Sequence, residues 1–157
     1  MSNFKDTLRL RATPTLDTGL LADKDLMHGT VITFTGAARR AGGAGRITRA
    51  ALFDASDQGV AADLWLLTAS PTNSTLTANG PLTLHGTDLA TVVAVIPFAT
   101  ASYNDAANGQ VGQVTSIDIA YQCASTSTDL FGLLVSRGAG TYGASGITLE
   151  LQVNRGE

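Results

Sequence analysis

The run ITLELQVN, Ile147 to Asn154, places Ile147, Leu149, Leu151 and Val153 at every second position, with Thr148, Glu150, Gln152 and Asn154 between them. A helix would spread those four apolar side chains around its circumference, whereas a strand, with its two-residue period, gathers them on one face. The segment is a half-buried strand. A chain carrying such a strand must also supply a sheet to pair it and a second apolar layer to cover it.

Other short runs meet that demand. Leu8-Arg9-Leu10-Arg11-Ala12 alternates apolar and charged residues, and TVITFT (30–35) is rich in β-branched and aromatic residues. Between Arg46 and Phe53 a strand would set Ile47, Ala51 and Phe53 on one face together with Arg49, leaving Arg46 and Thr48 opposite. Ala62, Leu64 and Leu66 alternate with Asp63, Trp65 and Leu67, so both faces of that strand are covered along part of its length. Val92 to Phe98, Ile117 to Cys123 and Leu130 to Val135 complete the set, and Pro97 suits an edge strand because it lacks an N–H.

The intervening stretches read as connections. DASDQG (54–59) is a turn, since Asp and Ser bond to nearby backbone and Gly permits positive φ. Residues 17–29 read as loop with one helical turn at most, 103–113 as a polar connection with an Asn-Gly pair, and Thr87-Asp88 as the cap of a short helix through Leu89 and Ala90. Seven or eight strands with little helix predict an all-β, single-domain antiparallel β-sandwich or jelly roll. Residues 15–157 form that domain, and 1–14 are an N-terminal arm or its first strand.

Charge narrows the function. Only 15% of the 157 residues are charged and the net charge is -3, which disfavours nucleic acid as a partner. The single cysteine, Cys123, excludes an intrachain disulfide, so a reducing cytoplasm is compatible. MSNFKDTLRLRATP lacks the apolar stretch of a signal peptide, and no run approaches the ~18 apolar residues of a membrane span. The expectation is a protein that is neither secreted by that route nor embedded in a membrane.

Few residues invite chemistry. Cys123 falls on the apolar face of its strand, where a thiol acts as a small hydrophobe. His28 and His85 stand beside glycines in polar connections and are expected to be exposed to water; with one cysteine they make no metal spacing. Asp54, Asp57 and Asp63 lack the ligand pattern of a calcium loop. GAARRAGGAGR lacks the Lys-Ser/Thr and the following helix of a phosphate loop. Asn73-Ser74-Thr75 matches a glycosylation acceptor without a secretion signal beside it. Arg39, Arg40, Arg46 and Arg49 fall within eleven residues, a cluster able to dock on acidic protein or to remain a solvated loop. No nucleophile elbow or acid/base pair stands out, so no catalytic residue, cofactor or metal is expected.

Taken in order, GRITRAALFDASDQGVAADLWLL, the Ser/Thr-rich connection after it, TDLATVVAVIPF and FGLLVSRGAGTYGASGITLELQV resemble the small β-sandwich capsid decoration, or cement, proteins of tailed bacteriophages. The resemblance implies a non-enzymatic virion protein, made in the host cytoplasm, that sits on the outer surface of the head. It implies homotrimers near local threefold axes, bridging major capsid protein subunits against internal pressure. Such proteins often use an N-terminal arm for contact, which points to Leu8, Arg9, Leu10 and Arg11 adding a strand to a capsid subunit, with Arg39 and Arg40 as further contacts. On that reading, removing residues 1–14 abolishes capsid binding and leaves the fold intact. The alternative is a receptor- or carbohydrate-binding module of a tail or fibre, against which stand 6% aromatics and the position of Trp65 inside a strand. A small hydrolase or isomerase is a third.

Overall fold

The computed structural model describes residues 6–156. Among them ten strands, all paired antiparallel, form two sheets. The larger sheet orders β1 (Asp6–Ala12), β10 (Ile147–Arg155), β3 (Ala44–Asp54), β7 (Gln110–Val114) and β6 (Tyr103–Asp105), with β8 (Ile119–Gln122) also on β3. The smaller orders β2 (Ile32–Phe34), β9 (Leu130–Ser136), β4 (Ala62–Leu67) and β5 (Val92–Phe98). Ile47, Leu52, Leu149, Leu151 and Val153 from the first meet Phe34, Leu64, Leu66, Phe98, Leu130 and Leu134 from the second in one core. Each such side chain, fully buried, contributes roughly 1.5 to 3 kcal/mol. The all-β sandwich is as the alternation predicts.

The first strand is part of this body. β1 pairs with β10 in unbroken register from Asp6↔Arg155 to Ala12↔Leu149, and Leu10 is buried in the core. Residues 1–5 of the expected arm lie outside the described residues. Deleting 1–14 would therefore strip an edge strand from the larger sheet, so an intact fold after that deletion is not expected.

β3 departs from its predicted alternation. It pairs with β8 through Ala44–Ile47 and with β7 through Ala50–Asp54, so its partner on that edge changes midway. On the other edge the register with β10 shifts where Arg49 faces Gln152 and Ile47 faces Val153, leaving Thr48 as the extra residue of a bulge. The Thr48 hydroxyl donates to the Gln152 carbonyl at 3.3 Å. The bulge reverses the faces: Ile47, Ala50 and Leu52 join the core, while Ala51 and Phe53 lie on the opposite side with Arg49. At the start of this strand only glycine fits. A Cβ on Gly45 would lie 2.6 Å from Tyr121 Cζ and 2.8 Å from the Asn154 carbonyl, and the Tyr121 hydroxyl already donates to Ala37 O at 2.5 Å. Gly45→Ala is expected to cost about 2 to 3 kcal/mol through overpacking, read as a fall in the denaturant midpoint; an unchanged midpoint would show that β3 shifts freely here.

The connections hold three further differences. Residues 103–113 are not loop but the hairpin β6–β7, turned at Ala107, whose φ is 70°, with the Asp105 carboxylate accepting its N–H at 2.7 Å. Its strands escape periodicity because they are three and five residues long. Residues 17–29 contain no helical turn; single bridges tie Leu21 to Gly140, Asp25 to Pro81 and Leu26 to Val135. The short helix α1 (Gly86–Leu89) is capped not by Thr87 or Asp88 but by His85, whose Nδ1 accepts the Thr87 N–H at 3.2 Å. Asp88 turns inward and binds Asn73 and Ser74, so the Asn73 amide is occupied.

DASDQG is the turn its composition predicts. The buried Asp54 carboxylate accepts N–H bonds from Ser56, Gln58 and Gly59, each 2.9 Å, while Asp57 and Gly59 adopt positive φ. The aspartate between β3 and β4 thus organises a loop, and its oxygens are spent on backbone.

Candidate interaction surface

The outward side chains of β1, β10 and β3 meet around Glu150. This carboxylate is only 1% exposed, yet it stands on the outer face of the larger sheet. Arg11 Nε donates to it at 2.6 Å, Arg49 Nη1 donates at 2.8 Å, and Arg9 Nε lies 4.0 Å away. Arg49 also donates to Gln113 Oε1 at 3.2 and 3.0 Å, and the Arg11 guanidinium lies 5.2 Å from the Phe53 ring centre. Burial pushes the Glu150 carboxyl up, but hydrogen bonds from Arg11 and Arg49 and the charges of Arg11 and Arg9 outweigh it and hold the pKa below the usual value. Three cations around one anion leave a locally basic face on an acidic protein, and Arg9 and Arg11 remain 67% and 60% exposed.

β1 also ends the sheet. Among the described residues its backbone pairs in the sheet with β10 on one side only, so its other side is the edge of the sheet. β2 is likewise an edge of its own sheet, and a groove of about 430 Å³ runs between residues 11–15 and 30–33. At the far end of β1, Arg155 and Arg39 both face Asp6, Arg39 at 3.6 Å.

The six residues singled out as contacts therefore divide. Arg9 and Arg11 face outward over Glu150, Leu10 is buried in the core, and Leu8 packs against the core while staying partly exposed. Arg39 pairs with Asp6, and Arg40 is exposed with no ion pair among the described residues. The arginines of 39–49 take separate acidic partners: Arg46 pairs with Asp118 and Arg49 turns to Glu150. Glu150 itself went unread as a site: its signal was a lone acid on an alternating strand, and its partners are set by cross-strand register.

Cys123 and His28 are structural. Cys123 is buried, and burial followed by the charge of Asp129 pushes its thiol up, away from the reactive thiolate. His28, expected in water, is fully buried, with Leu134 N–H donating to Nε2 at 2.8 Å and Nδ1 2.7 Å from Thr30 O. Among the described residues no group of three His, Cys, Asp or Glu is placed to hold a metal. A second concavity of about 300 Å³ opens beside Trp65 on the smaller sheet. No family model and no curated protein matches the chain.

Proposed function

We propose that this chain is a non-enzymatic structural protein of a virion, a decoration protein that binds the outside of a phage head and ties major capsid subunits together. The edge of β1, unpaired among the described residues and bearing Arg9 and Arg11, is the observation that carries the docking mode. An extended segment of a capsid subunit adds to that edge through main-chain bonds, and acidic side chains on it meet the two exposed arginines. The sandwich fold agrees with the family resembled in sequence, and the resemblance supplies the virion context and the threefold grouping of copies.

Quantitative mass spectrometry of virions from the source of this sequence tests the reading. A copy ratio to the major capsid protein near one is expected. A ratio of a few per cent moves the chain to a tail or fibre, and its absence from virions refutes a structural role.

A further inference from the structure

We propose that the pocket beside Trp65 binds a single neutral sugar ring, a function independent of docking through β1. Trp65, whose place inside a strand counts against a stacking platform when the sequence is read alone, is partly exposed on the outer face of β4, between Val95 of β5 and Leu133 of β9 in cross-strand register, and lines the pocket. The connection after β4 covers part of that face and supplies Leu82, Leu84 and Leu89 as an apolar wall; Leu89 is 51% exposed although apolar. Val135, Lys24, Asp63 and Arg137 complete the lining. At about 300 Å³ the pocket is at the small end of ligand sites, the size for one ring and not for an extended chain.

The rim decides the chemistry. Lys24 and Arg137 stand against Asp63 and Asp23, two charges of each sign, so neither an anion nor a cation is preferred. Arg137 Nε is 3.5 Å from Asp23 and 3.6 Å from Asp63, longer than hydrogen bonds, so both partners keep directional capacity for a ligand. Lys24 makes no ion pair among the described residues, and its backbone is held at the rim by Lys24 N–H to Ser136 O at 2.8 Å. A pyranose matches this combination: its C–H face packs on an aromatic and aliphatic wall while its hydroxyls both accept from Lys24 and Arg137 and donate to Asp63. A purely apolar side chain would leave that rim unused, and a ligand charged with either sign would meet a like charge there.

Trp65 is the chain's only tryptophan, so its fluorescence reports on this pocket alone. The intact protein is titrated with the methyl glycosides of glucose, galactose, mannose and N-acetylglucosamine, and with N-acetyl-leucinamide as an apolar peptide probe. A saturable shift with at least one glycoside is expected, half-complete at roughly millimolar concentration for so small a ligand. Asp63→Asn should weaken it about tenfold by removing a charged acceptor. Leu89→Glu, at an exposed side chain outside the core, should do the same with an unchanged melting temperature. The proposal is overturned if no glycoside gives a saturable shift, if N-acetyl-leucinamide gives an equal one, or if both variants titrate like the parent.

Discussion

Replacing His28 with alanine is expected to lower the stability of the domain by about 3 kcal/mol, the sum of a buried cavity and two broken hydrogen bonds. The ring is fully buried, and because the Leu134 N–H donates to Nε2, that nitrogen carries no proton. Nδ1 therefore holds the hydrogen and donates to Thr30 O, linking the segment before β2 to the middle of β9. Protonation would destroy the acceptor and place a charge in the core. Burial accordingly lowers the pKa from 6.5, with the Thr30 bond opposing it in part. The unfolded chain takes up a proton as pH falls past that ordinary value, while the folded chain resists until a lower pH. Stability is thus full above 6.5 and falls between 6.5 and the folded pKa, by up to about 1.4 kcal/mol per pH unit. Glu150 and Asp88, whose pKa values are lowered, also lose stability in acid, but only below the ordinary carboxyl values of 4.5 and 3.8. Urea midpoints of the parent and of His28→Gln at about pH 7.5, 6.5 and 5.5 separate the windows. The parent should weaken over that range more than the variant; equal slopes would show that His28 is not held neutral.

Strands whose two faces differ in sequence were legible. β10 alternates because one side meets the core throughout, and β4 reads as covered on both sides because Leu67 belongs to a second cluster with Leu26 and Leu133. The Asp54 turn was legible because its hydrogen bonds are local. Long-range features left no such trace. The bulge at Thr48 exists because β3 changes partner from β8 to β7, which no window of eleven residues records. His28 looks like any loop histidine until Leu134, over a hundred positions away, presents an N–H to it. The basic face was hidden in the same way, because Arg11, Arg49 and Glu150 come from three strands distant in the chain. The arginines closer in sequence, 39 to 49, are the more visible cluster, and folding gives Arg39, Arg46 and Arg49 different acidic partners.

On the proposed docking through β1, the Arg9→Glu, Arg11→Glu double variant is expected to reduce binding to purified capsids at least a hundredfold, which corresponds to about 2.7 kcal/mol. Reversing two exposed charges turns an attraction for an acidic segment into a repulsion and adds two carboxylates beside Glu150, whose own partner would then be Arg49 alone. That second effect also weakens the fold, so the pair Arg9→Gln, Arg11→Gln is measured alongside it: neutral side chains remove the attraction without crowding the buried carboxylate. Both variants keep Leu8 and Leu10, and with them the packing of β1 that a truncation would destroy. Binding of the parent should weaken as salt rises, since exposed charges are screened within a Debye length of about 8 Å at physiological ionic strength. The glutamine pair should bind more weakly than the parent at low salt and approach it at high salt, where only main-chain pairing at the β1 edge remains. Parent-like affinity for both variants at low salt, with parent-like melting temperatures, would remove this face of the sheet from the docking surface.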